Sequence, residues 1–140
     1  MTLRKRVPDP AKARSMVQAA EKELNYVLTL PVHIDSGCTI VLSLYEDFRL
    51  LGSAYLLLQG KETFGDNHHE EMIEALFDLD VKTKRSVRSL AHLKTLRKNV
   101  NYNGYIPSLP EVEDTRDLAQ NLFQPLVLAI KKRYPKAFLQ

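Results

Sequence analysis

Apolar residues recur along this chain at intervals of three and four, the repeat of a helix that buries one face. Met16, Val17, Ala20, Leu24, Val27 and Leu28 form the first such face. Asp9-Pro10 ahead of it supplies an N-cap and a first-turn proline, and Pro31 closes the segment. A second helix is predicted from Ser36 to Leu58, with Gly60 as its C-terminal cap. The turn Phe64-Gly65-Asp66-Asn67 leads into a shorter, acidic helix from Asn67 to Leu79. A fourth helix is expected from Thr83 to Val100 and a fifth from Glu111 to Tyr134. Pro125, inside the last one, lacks a backbone donor and crowds the preceding turn, so a kink is expected there. No segment alternates strictly at period two, so strands are not expected. The pattern describes an all-α, antiparallel up-and-down bundle of four or five helices. It forms a single domain over 1–140, with residues 1–8 expected to be flexible.

The second helix is apolar on two sides. At about 100° per residue, Ile40, Leu44, Phe48, Leu51, Tyr55 and Leu58 share one stripe, while Leu42, Leu50 and Leu57 lie roughly opposite. Such a helix is either central in its bundle or buried between subunits. In a small bundle the subunit interface is the preferred expectation, and a homodimer follows from it.

Composition narrows the class. With 44% apolar residues the chain is globular rather than disordered. Its apolar runs are too short for a membrane span, and the basic opening "MTLRKRVPDP" lacks the apolar stretch of a secretory signal. Cys38 is the single cysteine, so no internal disulfide is possible. A cytoplasmic protein is expected. The net charge of +3 is small but unevenly laid out. Glu62 to Asp80 holds seven acidic residues and no Lys or Arg; Lys82 to Lys98 holds seven basic residues and no acid. That polarity could steer a phosphate-bearing ligand. It could equally be two faces that attract each other across the fold or a dimer.

Candidate chemistry gathers at the end of the fourth helix. Leu90, Leu93, Leu96 and Val100 define its buried arc, and Arg97 projects inside that arc. A guanidinium there needs a carboxylate, carbonyls or an anionic ligand. Asp47, at the edge of the second helix's stripe, is the expected carboxylate partner. The pair could fix helix register only, or Arg97 could be held at a cleft to bind phosphate. In "RKNVNYNGY" the asparagines can cap the helix end, and Gly104 suits a positive φ. The resulting turn would set Tyr102 and Tyr105 beside Arg97. Elsewhere, His68 and Glu71 in "NHHEEM" stand one turn apart and could ligate a metal, but no second cluster completes a site, and a surface histidine pair is the expectation. Arg85, Arg88 and His92 have a chance arginine–histidine spacing on a face turned away from Leu93. Cys38 is read as a packing residue. Glycine-rich phosphate loops are absent.

The arginine at the end of the penultimate long helix, the "RKNVNYNGY" that carries it, and "SLYEDFRLLGSAYLLLQG" on the second helix together resemble the HEPN domain family of helical bundles. In that family the arginine is followed, after four to six residues, by a histidine. The matching positions here are Tyr102, Asn103 and Gly104, none of them histidine. Members with the histidine are metal-independent ribonucleases; members without it are nucleotide- or RNA-binding bundles or partners of minimal nucleotidyltransferases. The resemblance therefore implies a non-catalytic binder of nucleotide or RNA phosphate, with no cofactor. Arg97 would contact the anion, Tyr102 and Tyr105 would stack or donate hydrogen bonds, and Asn99 and Asn101 would position them. The alternatives are a ribonuclease with a divergent site built on Arg97 with Tyr102 or, ranked below it, His92, and a structural partner of a nucleotidyltransferase. A tyrosine titrates near pH 10, too high for an efficient general base.

Overall fold

Asp9 caps the first helix as its place before Pro10 requires. Its carboxylate accepts from the Lys12 N–H at 3.0 Å. The helix, α1, spans Pro10–Val27 in the computed structural model, which describes residues 3–139. Ala13, Val17, Ala20, Leu24 and Val27 form its buried face, with Met16 and Leu28 half-buried at the margins. α2 spans Gly37–Leu58 and ends where Gly60 takes left-handed backbone, φ 72°. α3 (His68–Ala75) runs into a 3-10 turn over Leu76–Asp78. α4 covers Leu90–Asn103 and α5 covers Leu109–Arg133. The chain is an all-α helical bundle.

Two helix starts differ from expectation for local reasons. Residues 83–86 are not helical, and a 3-10 turn over Val87–Ser89 precedes α4. The Thr83 hydroxyl donates to the Arg85 carbonyl, and the Ser86 hydroxyl accepts from the Arg88 N–H. These side chains offer the backbone an alternative to the helix ladder. α5 instead starts two residues early, because Ser108 and Glu111 close a capping box: the Ser108 N–H donates to Glu111 Oε1 at 2.9 Å and the Glu111 N–H to Ser108 Oγ at 3.3 Å. The helix passes through Pro125 as one continuous element.

α2 packs against α1, α3, α4 and α5. Its two-sided apolar pattern is thus the signature of the central helix, and the subunit interface inferred from that pattern is not needed to explain it. Ile40, Leu44, Phe48, Leu51 and Tyr55 are fully enclosed, and Leu57 on the other side is buried too. Phe48 meets Phe123 of α5 edge-on at 5.4 Å between ring centroids. Gly52 lets α3 cross closely: a Cβ there would lie 1.8 Å from the Met72 carbonyl oxygen.

A small sheet corrects two further expectations. β1 (Leu3–Lys5) pairs antiparallel with β2 (Lys61–Thr63), with Leu3 opposite Thr63. Strands do occur, and residues 3–5 of the segment expected to be flexible are tied into the fold. Three-residue strands are too short to show an alternation in sequence. Their pairing is held by backbone bonds and by Arg4 Nε donating to Glu62 Oε1 at 2.7 Å. Among the described residues no helix is long and apolar enough to cross a membrane.

Candidate functional site

Leu90 and Leu93 anchor α4 in the core, with Leu96 and Val100 half-buried behind them. That orientation brings Arg97 down onto α2, half-buried, as its place in the arc predicts. Its guanidinium carbon lies 4.8 Å from the centroid of the Tyr45 ring and 5.5 Å from that of Tyr102. Nη1 donates to the Tyr102 hydroxyl at 3.3 Å. Among the described residues no carboxylate pairs with Arg97. The neighbouring bases are engaged: Lys94 Nζ lies 2.6 Å from Glu74, and Lys98 Nζ 3.1 Å from Glu70. The acidic and basic runs therefore meet in part across the α3–α4 contact, leaving the guanidinium of Arg97 between two aromatic rings.

Asp47 is not its partner. It lies two residues beyond Tyr45, about 200° further around the helix, so the face that receives Arg97 cannot also present Asp47. Asp47 is 3% exposed, and its Oδ2 has no hydrogen-bond donor among the described residues. What approaches it is a second carboxyl, Glu23 of α1; burial first, then Glu23, push the Asp47 carboxyl up to about 9. A proton shared between the two carboxyls accounts for both observations.

The N-terminus of α3 completes the surroundings of Arg97. A pocket of about 390 Å³ is lined by Arg97, Lys98 and Tyr102 from α4 and by Asp66, Asn67, His68, His69 and Glu70. The His68 and His69 rings lie 4.0 Å apart, tilted by 47°. Adjacent histidines diverge inside a helix, but His68 is the first residue of α3, where the chain is still turning out of the Asn67 cap. Burial, then the charges of His68 and Arg49, lower the His69 pKa below its ordinary value. The Tyr45 hydroxyl is buried without a hydrogen-bond partner among the described residues, and burial raises its pKa. The pocket sets the Arg97 guanidinium, two imidazoles and the Tyr102 phenol, all able to meet an anion, beside Asp66 and the paired Glu70 and Lys98.

The other expected site residues fall elsewhere. Asn99 holds the end of α4: its carbonyl accepts from the Tyr105 N–H at 3.0 Å and its side chain from Asn103 at 3.3 Å. Gly104 follows with φ 64°, the left-handed cap expected of it. Asn101 is exposed. The Tyr105 hydroxyl donates to Glu111, joining the capping box of α5 rather than the Arg97 pocket. Of the expected set, only Arg97 and Tyr102 come together. Arg85 and His92 share a different space, a groove of about 540 Å³ between α4 and α5. There Arg85 is bound by Asp114 at 2.8 Å and Asp117 at 3.2 Å. Among the described residues no group of three or more His, Cys, Asp or Glu side chains is arranged to hold a metal.

Sequence reasoning missed Tyr45 and Lys98 as neighbours of Arg97, and met His68 only as a metal candidate. The signal for His68 and His69 was the doublet itself, opening the helix that precedes α4. No family model, curated protein or solved structure matches the chain.

Proposed function

We propose that this protein is a non-catalytic binder of nucleotide or RNA phosphate, a HEPN-like bundle whose anion contact is Arg97. One observation carries the reading: a half-buried guanidinium with no carboxylate partner among the described residues, held between Tyr45 and Tyr102 at the wall of a pocket it shares with Lys98, His68 and His69. An arginine fixed by aromatic faces keeps its planar donor edge ordered, which suits bidentate contact to a phosphate. Tyr102, 69% exposed, offers a ring on which a base can stack. The site differs from the set implied by the resemblance, since histidines from α3 stand in it and Asn99, Asn101 and Tyr105 do not.

The test is fluorescence anisotropy with a labelled single-stranded RNA over a salt series. Binding should weaken as salt rises, as counterion release requires. Arg97→Ala should weaken it by roughly tenfold or more, the scale of a charge-assisted contact. An unchanged affinity in a folded Arg97→Ala protein would overturn the proposal.

A second reading, a metal-independent endoribonuclease, rests on His69. A neutral imidazole beside a guanidinium is the pairing that abstracts a 2′-hydroxyl proton while the phosphate is held. Cleavage of the same RNA, abolished by either Arg97→Ala or His69→Gln, would establish it in place of simple binding. A homodimer and a nucleotidyltransferase partner belong to this HEPN-like reading as well, and sedimentation of the purified protein tests the first directly.

A further inference from the structure

The two imidazoles in the Arg97 pocket bear on how the site is regulated. They stand 4.0 Å apart and face the same space as Arg97 and Lys98. The groups around them are known from every element packed there. α2 contributes Tyr45, Glu46 and Arg49; α4 contributes Arg97, Lys98 and Tyr102; Glu70 and Glu71 follow on α3, and Asp66 precedes it. Two of these acids are paired with neighbouring bases: Glu46 with Arg49 at 2.8 Å and Glu70 with Lys98 at 3.1 Å. In the empty pocket a proton arriving on one ring meets the second ring and the guanidinium of Arg97. An anion seated among them offsets that opposing field and accepts a hydrogen bond from the ring, which favours the imidazolium form.

Resting on the phosphate-binding reading, we infer that the site is proton-linked: His69, set against His68, takes up a proton when a phosphodiester enters beside Arg97, so the protein captures RNA more tightly as pH falls. Thermodynamic linkage fixes the sign. A group whose pKa rises on binding strengthens binding below its bound-state pKa and loses that contribution as pH climbs through it. Histidine is the side chain whose ordinary pKa lies inside the physiological window. A phosphodiester carries a constant charge across that window, so a pH dependence with such a probe belongs to the protein. The site would then retain an RNA in a mildly acidic setting and release it on return to neutrality.

The probe is a 2′-O-methylated uridine hexamer without terminal phosphates, which cannot be cleaved through its own hydroxyl. Its affinity is measured by anisotropy at about pH 5.5 and about pH 8 for the wild-type chain, Arg97→Ala, the double variant His68→Gln/His69→Gln, and His92→Gln. Circular dichroism confirms that each is folded. The expected result is roughly tenfold tighter wild-type binding at the lower pH, one pKa unit of linkage. His92→Gln, on the other groove, should keep that gain, and the double variant should bind equally at both pH values. Wild-type binding that depends on Arg97 yet is the same at both pH values would overturn the inference and leave the phosphate site standing. A gain that persists in the double variant would overturn it as well, by placing the protons elsewhere. Binding indifferent to Arg97, or no binding, would overturn the phosphate site and the linkage together.

Discussion

At the scale of single residues, the half-buried Arg97 and the buried Asp47 are resolved by chemistry in opposite ways. Arg97 cannot lose its proton, so it takes aromatic faces and the edge of a pocket. Asp47 can be neutralised, and beside Glu23 it is. Its folded pKa of about 9 lies above that of an unfolded aspartate, so between about pH 4 and about pH 9 the native state holds a proton that the unfolded chain has released. Stability should therefore fall as pH rises through that window, by up to about 1.4 kcal/mol per unit from this group. Lowering of the His69 pKa acts in the other direction, with stability lost as pH falls below the ordinary histidine value. Asp47→Asn isolates the aspartate: urea unfolding at about pH 5 and about pH 8 should show a smaller decline for the variant than for the wild type. Equal declines would mean that Asp47 holds no extra proton in the folded chain. The inward position of Arg97 was legible in sequence because it follows from helical projection alone. Its partner was not, because choosing Asp47 used polarity and ignored the roughly half-turn separating Asp47 from Tyr45.

At the scale of elements, α3 is the piece that makes the site. It carries both pocket histidines and two acids that hold lysines of α4. Its position depends on Gly52, where α2 lacks a side chain and the backbone at Met72 approaches. Gly52→Ala should destabilise the protein by roughly 2–4 kcal/mol, since neither backbone can yield cheaply in a packed core. Chemical denaturation measures this, and an unchanged midpoint would mean that α3 shifts freely. Sequence identified α3 as a helix but gave no reason for the glycine inside α2, because close approach is a relation between two segments. The start of α4 was placed too early for a related reason: helix periodicity carries no information about Thr83 and Ser86 hydroxyls that bond to the local backbone. Asp9-Pro10, Gly60 and Gly104 were readable as helix boundaries, since caps are written in adjacent residues.

At the scale of the whole molecule, the all-α bundle is legible from periodicity, while the two-sided pattern of α2 favours a subunit interface over the central role it has. Enclosure by four other helices resolves it. That enclosure also orders the molecule in time. Amide hydrogens exchange with solvent when their bonds open, and segments with few neighbours open without the rest. The α2 amides should exchange slowest, at the rate of global unfolding. The eight-residue α3, with only Ile73 and Ala75 of its residues buried and an exposed approach through Asp66 and Asn67, should exchange orders of magnitude sooner. Mass-spectrometric exchange would detect this contrast, and comparable protection in α2 and α3 would contradict it. The part of the protein that offers its histidines to a ligand is therefore the part that unfastens first, and a bound anion should be visible as deuterium arriving late in α3 while α2 keeps its own pace.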